Sequence, residues 1–191
     1  REILKYSGLL ASSSQFSVGV EAQSSEPTWP MFQFDAGKTG YNPNASIPTE
    51  QIGQQWRTST LGEVVASPVI ANGMVFVGSR DGKVYAMDQE DGSKQWEYNI
   101  GEPIEATPAI SDWSIYIGST EGKVYSLSLD GNKEWEFETD PEGLRPTIEL
   151  PISVGSYVVF VTVTISYENG ELYAINKEDG TERWTYTVAA D

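Results

Sequence analysis

From residue 62 onward the chain alternates short apolar runs with acidic turns that contain Gly. Met74-Val75-Phe76-Val77 and Ser114-Ile115-Tyr116-Ile117 are rich in β-branched and aromatic residues, as in strands buried on both faces. Asp81-Gly82, Glu121-Gly122 and Asn169-Gly170 stand between these runs and the next. Such pairs suit tight hairpins, because Gly reaches positive φ without a Cβ clash. The next runs are Lys83-Val84-Tyr85-Ala86-Met87, Lys123-Val124-Tyr125-Ser126-Leu127 and Glu171-Leu172-Tyr173-Ala174-Ile175. Second turns follow at Asp91-Gly92, Asp130-Gly131 and Asp179-Gly180. In Glu134-x-Glu136-x-Glu138 the acids alternate with Trp135 and Phe137, a period-two pattern with one solvated acidic side. For the first unit the pattern predicts strands near Val64–Ile70, Met74–Gly78, Lys83–Met87 and Lys94–Asn99.

The pattern repeats. Trp56, Trp96, Trp135 and Trp184 are spaced by 40, 39 and 49 residues, and Pro68 to Gly82 and Pro108 to Gly122 both span 14. Antiparallel units of four strands recurring at about forty residues are the signature of propeller blades. The predicted fold class is therefore all-β: a partial β-propeller of four-stranded antiparallel blades, about three full blades plus one extra strand. The blades are expected over about 62–100, 101–140 and 141–188. The orphan fourth strand, roughly 53–61, carries Trp56 and has nothing to pair with. Each Trp is expected to fill the gap between blades, contributing about 1.5–3 kcal/mol by area. Ala86, Ser126 or Ala174 on the third strand would leave room for the ring. Closed propellers have four to eight blades. Three blades and a strand thus predict a segment of a larger propeller, a degraded gene product, or an open arc completed by another chain or by self-association of its edges. The third repeat is longer, with 19 residues from Pro151 to Gly170, and is read as a lengthened hairpin.

Composition narrows the chemistry. The 191 residues contain no Cys and no His, which excludes disulfides, Cys nucleophiles, Ser-His-Asp triads, thiolate or imidazole zinc sites and His-ligated haem. Asp and Glu number 28 against 12 Lys and Arg, a net charge of −16 that argues against nucleic acid and anionic membrane as partners. No stretch reaches the roughly 18 apolar residues of a membrane span. Arg1-Glu2-Ile3-Leu4-Lys5 resembles the second half of a twin-arginine export motif, a weakly apolar run follows to Val20, and Val20-Glu21-Ala22 offers a cleavage site. Residues 1–22 are therefore expected to be a truncated signal segment, 23–50 a linker and lead-in, and 51–188 the repeats, in a protein exported to the cell surface or medium.

The stretch Ala86-Met87-Asp88-Gln89-Glu90-Asp91-Gly92-Ser93-Lys94-Gln95-Trp96 resembles the tryptophan-docking motif of pyrroloquinoline-quinone (PQQ) type propeller repeats, Ala-x-Asp-x-x-x-Gly-x-x-x-Trp. Ala174, Asn176, Gly180 and Trp184 repeat it, and Ser126, Ser128, Gly131 and Trp135 repeat it one residue shorter. The resemblance covers 51–188 and is specific for the fold, not for quinone binding. It implies blade-docking roles for Trp56, Trp96, Trp135, Trp184, Ala86, Gly92, Gly131, Ala174 and Gly180. The acidity and the Trp29–Asn44 segment also look like exported PQQ-repeat proteins of salt-adapted archaea. Two functional classes follow. One is a non-enzymatic scaffold like the outer-membrane assembly lipoproteins of the BamB type, although these residues hold no lipobox Cys. The other is a quinoprotein dehydrogenase using PQQ and Ca²⁺; a sensor domain of a larger protein is a further option. No catalytic or metal-ligating set emerges. Glu105, Glu149 and Arg145 lie near inner strands but nothing singles them out, and Asp88-x-Glu90-Asp91-Gly92 reads as an acidic turn, since the rest of a calcium loop is missing. The scaffold reading, with a protein partner or further blades and no cofactor, is the expectation.

Overall fold

The computed structural model describes residues 54–139, 146–165 and 169–189; the expected signal and linker segments lie outside them. All secondary structure among the described residues is β, and no helix there is long and apolar enough to cross a membrane. Twelve strands form three four-stranded antiparallel sheets, each in sequence order. Blade 1 contains β1 (Val69–Ala71), β2 (Met74–Gly78), β3 (Lys83–Asp88) and β4 (Lys94–Asn99). Blade 2 contains β5 (Ala109–Ser111), β6 (Ser114–Gly118), β7 (Lys123–Ser128) and β8 (Lys133–Glu138). Blade 3 contains β9 (Ser153–Val154), β10 (Val158–Thr164), β11 (Asn169–Asn176) and β12 (Glu182–Ala189). β5 contacts both β1 and β9, so the first strands of successive blades are neighbours.

The first strand of blade 1 is shorter than the apolar run that predicts it. Its ladder begins at Val69↔Phe76, so Val64 to Pro68 run unpaired. Pro68 has no N–H to offer β2, which ends the pairing there. Residues 54–60 likewise join no ladder. The third blade's extra length goes into its central hairpin, where β10 and β11 pair over seven positions against five for β2 and β3.

In each blade one cross-strand row reads aromatic, small, Trp. Phe76 pairs with Ala86 and Ala86 with Trp96. Tyr116, Ser126 and Trp135 make the same row in blade 2, and Phe160, Ala174 and Trp184 in blade 3. The small central residue lets the outer rings meet over it, at centroid distances of 5.8, 5.8 and 6.1 Å. Every fourth strand then slips register one residue beyond this row.

The core lies between blades. One cluster joins Val69, Phe76, Val84 and Ala86 of blade 1 to Ile110, Ile115, Ile117 and Leu127 of blade 2. A second joins Tyr116, Val124 and Trp135 of blade 2 to Val159, Val161, Val163 and Ile175 of blade 3. Ile104 and Ile148, which lead into the next blade, press on Gly78 and Gly118 where any Cβ would collide. A blade is therefore apolar on both sides because each side has its own neighbour. Blade 1's other face, with Val75, Val77, Tyr85 and Met87, has Trp56 and Ile70 as its hydrophobic neighbours among the described residues.

Candidate functional site

The tryptophans dock forward, onto the blade that follows. Trp56 donates Nε1–H to the Gln89 carbonyl at 2.9 Å, Trp96 to Leu129 at 2.8 Å and Trp135 to Lys177 at 3.0 Å. Each acceptor lies in the turn between the third and fourth strands of the next blade. The Gly of that same turn forms the floor under the indole. A Cβ added to Gly92 would stand 2.5 Å from Trp56 Cε3, one on Gly131 2.8 Å from Trp96 Cδ2, and one on Gly180 2.7 Å from Trp135 Cδ2. All three glycines also have positive φ, between 72° and 83°. The structure thus brings Gly92 to Trp56, not to the Trp96 of its own motif, while Ala86 and Ala174 sit within their own blade's row, fully buried. Trp135, with both neighbours in place, is 8% exposed. Trp184 is 46% exposed and its Nε1 has no acceptor among the described residues, since no described blade follows.

Several charged groups near the first strands are engaged in ion pairs and hydrogen bonds. Arg80 Nε donates to Glu105 at 2.8 Å and its other arm pairs with Glu63. Lys123 Nζ donates to the buried Glu102 at 2.6 Å, and the Ser119 hydroxyl donates to the same carboxylate at 2.6 Å. Glu149 is exposed, and Arg145 lies outside the described residues. In the Asp88–Gly92 turn, Asp88 accepts from the N–H of Glu90 at 2.7 Å and Asp91 from that of Ser93 at 2.8 Å. These carboxylates cap the turn. Hydrogen bonding from Ser93 holds the Asp91 carboxyl below its ordinary value. Among the described residues no group of three or more acidic side chains is placed to hold a metal ion.

Sequence reasoning missed a cavity of about 330 Å³ between blades 2 and 3, lined by Asp112, Ser114, Tyr116, Glu134, Tyr157 and Lys177 among others. Lys177 ties the two blades, pairing with Asp112 and donating to Ser111 Oγ at 3.0 Å. That pairing holds the Asp112 carboxyl below its ordinary range. Burial pushes the Tyr116 hydroxyl up to about 12 against hydrogen bonds with Ser114 and Ser126.

Three four-stranded antiparallel sheets, coupled blade to blade by docked indoles, define a β-propeller repeat protein of the PQQ type. The chain belongs to the family described as outer membrane protein assembly factor BamB, whose model matches residues 50–191. Among curated proteins none matches it in sequence. Solved structures share the fold. A quinohemoprotein alcohol dehydrogenase from Pseudomonas putida HK5 superposes with a TM-score of 0.73 at 19% identity, over 84% of this chain and 26% of that one. The quinohemoprotein alcohol dehydrogenase of Comamonas testosteroni gives 0.71 at 20% identity, over 84% and 27%. BamB from Moraxella catarrhalis gives 0.55 at 18% identity, over 69% and 39%. The chain therefore spans between about a quarter and two-fifths of these structures.

Proposed function

We propose that the chain is a non-enzymatic propeller module, an exported interaction or structural scaffold that forms part of a larger ring. The series of forward docking contacts carries this reading, because it ends on an indole still open to solvent. The span relative to the propeller structures supports it, as does the unpaired 54–60 segment, whose Trp56 already sits where a preceding blade's fourth strand would put it. In this reading a further blade receives Trp184 and supplies the strands that 54–60 lacks. Export by the twin-arginine route rests on the Arg1–Ala22 features, and salt adaptation on the net charge of −16.

The likeness to quinohemoprotein alcohol dehydrogenases favours a second reading, a dehydrogenase segment with PQQ and Ca²⁺. Among the described residues no acidic cluster is placed to hold Ca²⁺, and in the Asp88–Gly92 turn one oxygen each of Asp88 and Asp91 accepts backbone N–H groups of the turn itself. Titrating the chain with PQQ and Ca²⁺ while following quinone absorbance and dye-linked alcohol oxidation separates the two. The scaffold reading expects neither saturable binding nor turnover, and saturable binding with turnover overturns it. Size exclusion with light scattering tests the ring reading: association through open edges is expected, and a compact monodisperse monomer overturns it.

A further inference from the structure

The repeats act as controls for one another, and one interblade gap departs from the pattern. Turn hydrogen bonds align the blades: Gln89, Leu129 and Lys177 each donate a backbone N–H, to the carbonyls of Gly73, Trp113 and Tyr157. Between blades 1 and 2 this end of the gap is closed by apolar groups, with Met74, Phe76 and Leu129 in the shared core. Between blades 2 and 3 the matching positions are Ser114, Tyr116 and Lys177, and there the cavity opens. Blade 1's Gln95 becomes Glu134 in blade 2, and its hairpin Gly73 becomes Trp113, followed by Tyr157 in blade 3.

Trp113 is 68% and Tyr157 76% exposed. Trp113 has a φ of 72°, the left-handed region that Gly73 occupies in blade 1 and that a bulky side chain seldom adopts. The lining holds three carboxylates, on Asp112, Glu134 and Glu178, against one ammonium, Lys177, which Asp112 already pairs. Glu134 gives one oxygen to the Ser126 hydroxyl at 2.7 Å, and the Glu178 carboxylate has no partner among the described residues. A polar cavity with excess negative charge, the exposed Tyr157 ring in its lining and the exposed Trp113 standing between the lining residues Asp112 and Ser114, is chemically suited to a planar cation, which stacks on rings and donates to carboxylates.

We propose that this gap is a recognition site for an arginine side chain presented by a partner protein. The proposal rests on the scaffold reading and adds the chemistry of the partner. Glu134 and Glu178 would take the guanidinium N–H groups, and Trp113 and Tyr157 would flank its plane.

Calorimetric titration of the full chain tests it with a Gly-Gly-Arg-Gly-Gly amide, its Gln counterpart, and agmatine as a free guanidinium. The arginine peptide is expected to bind at least tenfold tighter than the glutamine peptide. Trp113→Gly and Glu134→Gln, which restore blade 1's residues, are each expected to weaken it at least fivefold with circular dichroism and melting retained. Equal binding of the two peptides, or unchanged affinity in both variants, overturns the site. Agmatine binding as tightly as the peptide overturns its assignment to a partner's chain. PQQ turnover alone would overturn the scaffold reading, so the two failures are distinguishable.

Discussion

At the scale of single residues, the glycine under each indole meets two demands at once. Gly131 needs a φ of +83°, and it needs no Cβ, because Trp96 lies against it. Gly131→Ala should therefore destabilise the chain by about 2 kcal/mol or more, from left-handed strain and the collision together, read as a lower urea midpoint. Trp113→Gly should do the opposite or nothing: it removes an exposed ring and relieves a positive φ, so the melting temperature should hold or rise, by up to about 1 kcal/mol of stability. The two substitutions separate a residue kept for packing from one whose cost packing does not explain. The motif made Gly92, Gly131 and Gly180 visible in the sequence but not their partners, because spacing within one repeat cannot say that a ring lands on the next. Trp113 and Lys177 were invisible for another reason: attention to what recurs passes over what breaks the recurrence.

At the scale of elements, the alternation and the Gly turns were enough to place β2 and β4 with their observed ends, since both run between a left-handed glycine and a hairpin. The start of β1 was not legible, because an apolar run says nothing about whether a proline will interrupt its ladder. The β2–β3 turn shows how a short element gains stability from one side chain. Asp81 accepts from the N–H of Leu61 at 3.0 Å, Gly62 at 3.2 Å and Lys83 at 3.0 Å, and from the Tyr85 hydroxyl at 2.7 Å. Burial works to raise its carboxyl's pKa, but the hydrogen bonds outweigh it and hold it below the ordinary value of 3.8. A group lowered in the folded state takes up more protons when unfolded, so its contribution is present above the ordinary value and lost as pH falls through the folded one. Melting temperature should thus drop from about pH 5 to about pH 3, and Asp81→Asn should make that drop shallower. Tyr116 gives the opposite sign at the alkaline end. Its folded hydroxyl sits at about 12 against an ordinary 10.0, so its stabilisation is present below 10 and lost as pH rises through 12. Tyr116→Phe should reduce that alkaline loss, read from fluorescence-monitored unfolding between these limits.

At the scale of the molecule, stability is a sum over neighbouring pairs, and its ends are unequal. Trp135→Ala, within a closed interface, should cost about 3–5 kcal/mol, whereas Trp184→Ala should cost less than about 1 kcal/mol in the isolated chain. Equal losses would mean that the open face is covered. The charge also acts at this scale: with −16 on 191 residues, added potassium chloride should raise the melting temperature by screening repulsion, and insensitivity from low salt to about 1 M would remove the salt-adapted reading. The propeller was legible because a period of about forty residues survives divergence of everything between its markers. The cavity was not, since it arises from two blades meeting and belongs to neither repeat alone.

The forward reach of each indole has a consequence for anyone who would lengthen or shorten the array. A plug travels with one repeat and its socket with the next, so the interchangeable unit is out of phase with the sheet. Splices that carry the acceptor turn and its glycine together with the incoming repeat should leave every joint matched. Inserting a foreign sheet without that turn would strand a ring on one side and an empty seat on the other.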